Sequence, residues 1–450
     1  MKGGAIACLA LSLATVGMSA RADDFRATPP ASHAMPRLAA PAIREGKLGN
    51  GVRLLVVERT GGLPIASLRV VSDVGAFAAE PGVAYLAARS ALRGESDLAH
   101  ALDEITAFAG ARAEWDGVDM RVSCLAPELD HAIELAWGAA TKASFHRVYV
   151  NDARADERHD REETRWDARR ALDAALYPSG DPMHDGMWGP GSATESVTAE
   201  QLGAYFARAF APEHVTLIVV GDTTLEAVTA SATKWMWSAH LQNAPAPLAP
   251  AQPPSPKRGL TVVDRPGSTQ SSVALGAMGV PRGSPDAAAI EVLTAALSRR
   301  LDAILRQRYG FTYGFDATAF EWRTRGSILI EGKVEASRTA QSVRELLAVV
   351  DRLREDPLDD TELTVAKTLR RHLDPRNEEA TSNAASALAR LVEEGLPLDT
   401  WPREIAAIDR VTKEDVLRVA RAYLDPAHMP IVVVGDAKSI APSLPDVGTP

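Results

Sequence analysis

Two segments of the chain have similar sequences: VTAEQLGAYFARAFAPEHVTLIVVGD at Val197–Asp222, and VTKEDVLRVARAYLDPAHMPIVVVGD at Val411–Asp436. The copies are offset by 214 residues without a gap. Each has a threonine suited to cap a helix, an acid two positions later, an amphipathic helical pattern, a proline, and an apolar strand that ends in Gly-Asp. The repetition predicts one α/β unit that is present twice.

The starts of the two units agree as well. The segments GVRLLVVERTGGLPIASLRVVSDVG and GLTVVDRPGSTQSSVALGAMGV each predict two apolar strands joined by a Gly/Pro turn. The proline-rich residues 241–259 predict an extended linker between the units. We therefore expect an α+β chain with two homologous domains, 44–240 and 260–440, and a tail at 441–450. Each domain should hold a mixed, largely antiparallel sheet flanked by helices, and a cleft between them is a favoured place for a ligand.

Composition narrows the class of protein. The chain has 450 residues, of which 46% are hydrophobic and 24% are charged, as in globular proteins. Its formal net charge is −10, and the sequence contains no block of basic residues. This balance argues against a nucleic acid or an anionic membrane as partner and favours a peptide, a protein or a small molecule.

The first residues predict export. Lys2 precedes an apolar run from Ala5 to Val16, and small residues follow at A-x-A spacing up to Ala22. This pattern predicts a signal peptide over 1–22, cleaved after about Ala22, then a mobile leader over 23–43, with the periplasm as the expected location. Cleavage leaves one cysteine, Cys124, which lies in an alternating strand pattern and is expected to pack as a small apolar side chain. No other run is apolar enough to predict a membrane span.

In order and spacing, these segments resemble the insulinase, pitrilysin and mitochondrial processing peptidase family of zinc peptidases. The resemblance covers nearly the whole chain after the leader. It is carried by the repeated segment, by LGNGVRLLVVER, LPIASLRVVSDVGAFAAEPGVAYLAA and VVDRPGSTQSSVALGAMGVPRGSPD, and by LRQRYGFTYGF. It implies the metallopeptidase-like fold of that family.

The resemblance also identifies a loss. Family members carry the inverted zinc motif H-x-x-E-H where this chain reads GVAYLAARSALRG, residues 82–94. Tyr85 and Arg89 stand in the two histidine positions, and Ala88 stands in the position of the general base. A phenol ionises near pH 10, a guanidinium is a permanent cation, and alanine has no proton acceptor. We therefore expect no zinc and no catalysis from this helix, and zinc only in a partner subunit.

The third zinc ligand of the family is a glutamate about seventy-five residues further on, where the chain reads NDARADERHDREETRWDARRALDAALYP. Glu157, Glu162 and Glu163 all remain candidates for that position. His159 and Glu163 are one helical turn apart and raise the alternative of a replacement metal site, although alternating charges favour a solvated helix. We also hypothesise that Arg89 pairs with an acid of this helix, so that a salt bridge replaces the metal bridge.

One family feature is retained in the second unit. Active members use an Arg and a Tyr seven residues apart to hold the substrate backbone at the zinc site, and LRQRYGFTYGF supplies Arg306 and Tyr313 at that spacing. Arginine offers a fixed fork to a carbonyl, and a phenol can donate to a developing oxyanion. The alternative is a surface ion pair at Arg306 and a half-buried strand residue at Tyr313.

These features lead to three hypotheses. The first is the non-zinc subunit of a hetero-oligomeric peptidase, inactive alone, which supplies the Arg/Tyr pair and half of a peptide chamber to a zinc-bearing paralogue. The second is a non-catalytic structural or peptide-binding protein, like the family's core subunits in respiratory complexes. The third is an enzyme with relocated chemistry, which is disfavoured because the sequence lacks G-x-S-x-G, P-loop, C-x-x-C and H-E-x-x-H patterns.

Overall fold

The structure is a computed structural model, and it describes residues 41–93, 96–237, 252–372 and 379–444. The predicted signal peptide and almost all of the predicted leader lie outside the described residues. The same is true of the first part of the predicted linker and of the end of the predicted tail.

The described residues form two sheets. The strands of the first sheet are β1 Arg44–Lys47, β2 Arg53–Glu58, β3 Ile65–Ser72, β4 Phe108–Ala113, β5 Val118–Leu125 and β6 Val215–Gly221. The strands of the second sheet are β7 Leu260–Asp264, β8 Gln270–Met278, β9 Thr312–Glu321, β10 Gly326–Glu335 and β11 Ile431–Gly435. The spatial orders are β1-β2-β6-β3-β5-β4 and β7-β11-β8-β10-β9.

Helices flank both sheets. Those of the first half are α1 Val83–Ala91, α2 Ser96–Glu104, α3 Leu129–Thr141, α4 Arg147–Glu163, α5 Ala168–Leu176, α6 Ala193–Ser196, α7 Ala199–Ala209 and α8 Leu225–Met236. Those of the second half are α9 Ala287–Leu301, α10 Thr339–Glu355, α11 Asp360–His372, α12 Thr381–Glu393, α13 Thr400–Arg410, α14 Lys413–Tyr423 and α15 Ala437–Ile440. Within the described ranges, no helix combines the length and the apolar composition needed to cross a membrane.

The predicted fold class is confirmed, including the duplication. Apart from the additional β1, the two sheets have the same order, and in each the strand of the repeated segment is inserted between the first two strands of its unit. β6 runs parallel to β2, and β11 runs parallel to β7, while the other neighbouring pairs are antiparallel. Thr198 and Thr412 both cap their helices in a capping box, as the repeat predicts. β6 and β11 are buried along their whole length, which explains their unbroken apolar sequences.

The two halves exchange helices across their sheets. α12 of the second half lies on the first sheet, where Leu388 packs in one cluster with Leu55 and Ile218. In return, α5 of the first half lies on the second sheet, where Leu172 packs with Leu329. Each sheet is therefore covered on one face by helices of its own half and on the other face by a helix of the other half.

The second half contains a π-helical segment before β9. α9 continues without a break into this segment, Asp302–Arg308. Gly310 follows two residues later, and its φ of 67° is the left-handed conformation that glycine adopts at little cost. The segment carries Arg306 and leads directly to Tyr313 at the start of β9.

Buried acids lie where the halves meet. Glu393, the last residue of α12, packs against the β4–β5 hairpin so closely that a Cβ at Gly117 would lie 2.4 Å from its Cγ. Burial, and then the nearby charge of Asp119, raise the pKa of Glu393 to about 8. Arg112 and Arg69 oppose this shift and Glu114 adds to it. The Glu393 side chain is therefore protonated in the folded protein at neutral pH.

This raised pKa predicts a pH-dependent stability. In the unfolded chain, Glu393 is exposed and loses its proton near pH 4.5. In the folded protein, the same carboxyl keeps its proton until about pH 8. The free energy of unfolding should therefore fall between these two pH values. Glu393→Gln should remove this contribution. Between pH 6 and pH 8, the free energy of unfolding of the variant should therefore rise by about 2 kcal/mol relative to that of the wild type. Urea unfolding of both proteins at the two pH values checks this, and parallel pH profiles would contradict it.

Candidate functional site

The helix that replaces the zinc helix begins at a glycine. Gly82 has a φ of 84°, and a Cβ there would lie 2.9 Å from the side chain of Thr194, so the start of α1 tolerates no larger residue without rearrangement. Ala88 and most other residues of α1 are buried in the core of the first half. Tyr85 is half-buried and Arg89 is exposed on the remaining face. The side chains at the two histidine positions therefore point away from the core, as metal ligands would.

Both side chains bind the same acid on α4. The hydroxyl of Tyr85 donates to Oδ2 of Asp160 over 2.8 Å, and Nη2 of Arg89 donates to the same oxygen over 2.8 Å. Arg93, two residues after the end of α1, pairs with Asp156, one turn before Asp160 on α4. The predicted pairing of Arg89 with an acid of this helix is confirmed, and a salt bridge joins α1 to α4 at the degenerate motif.

The electrostatics of this contact exclude metal binding at Tyr85. Burial, and then the hydrogen bond to Asp160, raise the pKa of Tyr85 to about 12. The phenol is therefore protonated at neutral pH and acts as a donor. The guanidinium of Arg89 lies 5.5 Å from the centre of the Tyr85 ring and adds a fixed positive charge. Because the phenol stays protonated, Arg89 is a fixed cation and Ala88 cannot act as a base, the residues do not fit zinc.

The three glutamates proposed for the third ligand position lie apart from this contact. Glu157 is 2% exposed and is held by Arg161 and by the hydroxyl of Thr194. Glu162 pairs with Arg165, and Glu163 pairs with His159 over 3.2 Å, all on exposed surface. Across the described ranges, no three His, Cys, Asp or Glu side chains converge as a metal site.

Asp160 is the residue that sequence reasoning missed. It stands in the run ADERHDREE, where acidic and basic residues alternate and several acids are equally eligible. The orientation of α4 about its own axis decides that Asp160, and not a neighbouring acid, faces Tyr85 and Arg89. The predicted single solvated helix is also divided in the structure, because Asp167 caps a new helix, α5, by accepting from the backbone N–H of Arg169.

Asp160 should contribute measurably to stability. Asp160→Asn removes the charge that two donors share, and we expect the free energy of unfolding to fall by about 1–2 kcal/mol, with the exposed Arg89 contributing the smaller part. Glu162→Gln, on the exposed face of the same helix, is the matched control and should cost under about 0.5 kcal/mol. Urea unfolding measures both. Equal effects of the two substitutions would show that the Asp160 contact adds nothing.

The Arg/Tyr pair occupies open surface on the second half. The side chain of Arg306 is 57% exposed, and its guanidinium lies 3.5 Å from Asp302, one turn earlier. Tyr313 is 90% exposed, the most exposed of the large hydrophobic side chains among the described residues. Neither residue belongs to the lining of the cavity beside α1, which Tyr85, Ala88 and Arg89 help to form. Within this chain, the retained pair and the degenerate zinc motif are therefore not in one cavity.

Cys124 behaves as predicted. It lies on β5, it is buried in the core of the first half, and burial raises the pKa of its thiol to about 11. At neutral pH the side chain is a thiol without nucleophilic character.

Comparisons with known proteins agree with this geometry. Residues 196–369 match the family described as the peptidase M16 inactive domain. No curated protein matches the chain. Three solved structures each match 87–88% of this chain, and at identities of 16–23% these matches show a shared fold.

The peptidase M16 inactive domain from Pseudomonas fluorescens superposes with a TM-score of 0.78 and 23% identity, over 88% of this chain and 98% of that chain. A protease from Helicobacter pylori gives 0.75 and 17%, over 88% and 99%. An M16-like peptidase from Alicyclobacillus acidocaldarius gives 0.77 and 16%, over 87% and 98%. Residues 196–369 of this chain therefore match the peptidase M16 inactive domain, and the chain as a whole shares the fold of these M16-like structures.

Proposed function

We propose that this chain is the non-zinc subunit of a hetero-oligomeric M16 peptidase. In this assembly a zinc-bearing paralogue provides the metal and the general base, and this chain provides Arg306, Tyr313 and half of the chamber that holds an unfolded peptide. The chain itself needs no cofactor, and its signal peptide would place the complex in the periplasm.

The observation that carries the proposal is the contrast between the two ends of the family's active site. At the zinc end, the side chains of Tyr85 and Arg89 both donate to Asp160 and stand where metal ligands would be. At the substrate end, Tyr313 is almost fully exposed and Arg306 is held by one weak contact on its own helix. Both side chains of the pair are therefore accessible to a partner subunit or a substrate.

The chemistry of the pair suits this role. A guanidinium can hold two carbonyl or carboxylate oxygens in a fixed plane, which positions an extended peptide. The phenol of Tyr313 can donate to the oxyanion that forms when a metal-bound water attacks a peptide carbonyl. Both functions need a metal centre opposite them, and this chain does not supply one.

Reconstitution tests the proposal. A paralogue with intact H-x-x-E-H should co-purify with this chain, and a quenched fluorescent peptide should be cleaved by the mixture but not by this chain alone. Metal analysis of the complex should find zinc in proportion to the paralogue. Hydrolysis at full rate by the isolated chain, or by the paralogue alone, would contradict the proposal.

A further inference from the structure

A cavity of about 520 Å³ lies beside α1, between the edge strand β4 and α5. Its lining includes five arginines: Arg89, Arg112, Arg121, Arg169 and Arg170. Three aspartates also line it. The concentration of guanidinium groups is unexpected in a chain whose net charge is −10.

Two of the five arginines are neutralised by acids at the rim. Arg89 pairs with Asp160, and Arg112 pairs with Glu114 over 2.9 Å. Among the described residues, no carboxylate lies within ion-pair distance of the other three guanidinium groups.

The three remaining arginines are held by other contacts. Arg169 stacks on the ring of Phe320, which belongs to the second half, with its guanidinium carbon 4.0 Å from the ring centre. Arg170 lies 4.8 Å from the ring centre of Trp188 and donates through Nη1 to Thr164. Arg121 lies across Gly110, where a Cβ would come within 2.5 Å of its Nε. These contacts orient the guanidinium groups while most of their N–H donors remain available.

The three acids in the lining form no ion pair with Arg121, Arg169 or Arg170. Asp167 accepts from a backbone N–H at the start of α5, and Asp185 contacts His184 over 3.3 Å. Burial raises the pKa of Asp173 to about 7, so its carboxyl is only partly ionised at neutral pH. Burial, and then the neighbouring Arg161, lower the pKa of Arg170, and the charges of Glu157, Asp167 and Asp185 only partly oppose this shift.

We propose that this cavity binds an organic anion, in which a carboxylate or phosphate group contacts Arg121, Arg169 and Arg170. The apolar body of the ligand would contact Trp115, Met187 and Trp188, which line the same cavity. Guanidinium groups bind both oxyanions through paired N–H donors, and the cavity volume matches that of ordinary small-molecule sites. The site stands on these contacts alone and does not depend on the proposed peptidase complex.

Calorimetric titration of the full chain with small aromatic probes tests this inference. Phthalate and phenyl phosphate should bind at low salt with Kd values below about 1 mM, and uncharged benzamide should bind at least about tenfold more weakly. Added sodium chloride should weaken the binding of both anions. The tighter of the two anions identifies carboxylate or phosphate as the preferred group. Absence of heat with both anions, or equal binding of benzamide, would overturn the inference.

Substitutions locate the binding. Arg169→Gln combined with Arg170→Gln should raise the Kd of the tighter-binding anion about tenfold or more. Arg121→Gln should raise the same Kd about threefold or more. Arg344→Gln, an exposed arginine on α10, is the matched control and should change nothing. Circular dichroism verifies that each variant folds, and the exposed position of Arg121 keeps one variant free of packing effects. Unchanged affinity in folded variants would overturn the assignment.

Discussion

Replacing Arg306 and Tyr313 together with alanine should lower the peptidase activity of the reconstituted complex about 10²–10³-fold, the range found when one oxyanion donor is removed from an active site. The zinc and the general base would remain in the partner, so the loss would report only what this chain contributes. The rate of hydrolysis of a fluorescent peptide, measured at saturating partner, checks the prediction.

Single substitutions separate the two roles. Tyr313→Phe removes only the hydroxyl and should lower kcat with little change in KM, because the donor acts on charge that develops in the transition state. Arg306→Lys keeps the charge but loses the planar fork and should mainly raise KM. Arg308→Ala, an exposed arginine on the same π-helical segment, is the matched control and should leave both constants unchanged.

Stability should not explain these effects. Since Tyr313 is almost fully exposed and Arg306 makes one contact at 3.5 Å, the double variant should unfold within about 0.5 kcal/mol of the wild type. Full activity in a complex that contains the double variant would contradict the proposed role. That outcome would favour a structural or peptide-binding subunit, for which the pair has no function.

The sequence predicts the parts of the fold that are encoded locally. The capping threonines, the helices that they begin and the buried strands β6 and β11 follow from the repeated segment. The residues of the degenerate zinc motif follow from helical spacing, because Tyr85 and Arg89 are one turn apart whatever packs against them. In both cases the information lies within a few turns of chain.

The exchange of helices could not be predicted in the same way. α5 ends in an apolar pattern that fits any sheet face, and nothing in it shows that Leu172 packs on strands of the second half. The sequences of β6 and β11 are apolar on both faces, which predicts burial but not the identity of the covering helix. Asp160 illustrates the same limit, since its selection over neighbouring acids depends on how α4 is rotated. In each case the outcome depends on which distant parts of the chain pack together, and this is not encoded in the local sequence.

A buried ion pair is one of the contacts between the halves. Arg325, in the β9–β10 connection, is 1% exposed, and its Nη1 lies 2.8 Å from both carboxylate oxygens of Asp181, in the loop after α5. Asp181 is 9% exposed. The guanidinium also lies over the rings of Phe77 and Tyr177. A charged pair that is this well buried is expensive to break from one side.

Asp181→Asn should lower the free energy of unfolding by about 3–5 kcal/mol. Asparagine preserves the size of the side chain and the oxygen that accepts from the backbone N–H of Met183, so the loss would come from removal of the negative charge beside a buried arginine. Urea unfolding, followed by circular dichroism, measures the difference. Glu195→Gln, which breaks an exposed pair with Arg158, is the control and should cost under about 1 kcal/mol.

A second substitution identifies the cause. If the uncompensated charge is responsible, Arg325→Met in the Asp181→Asn background should recover most of the lost stability, because a buried pair replaced by uncharged groups of similar volume is often as stable as the original. If the loss came instead from disturbed packing, the double variant would be less stable than either single variant. The sign of the coupling in this double-mutant cycle therefore decides whether the two halves are held at this point by charge or by shape.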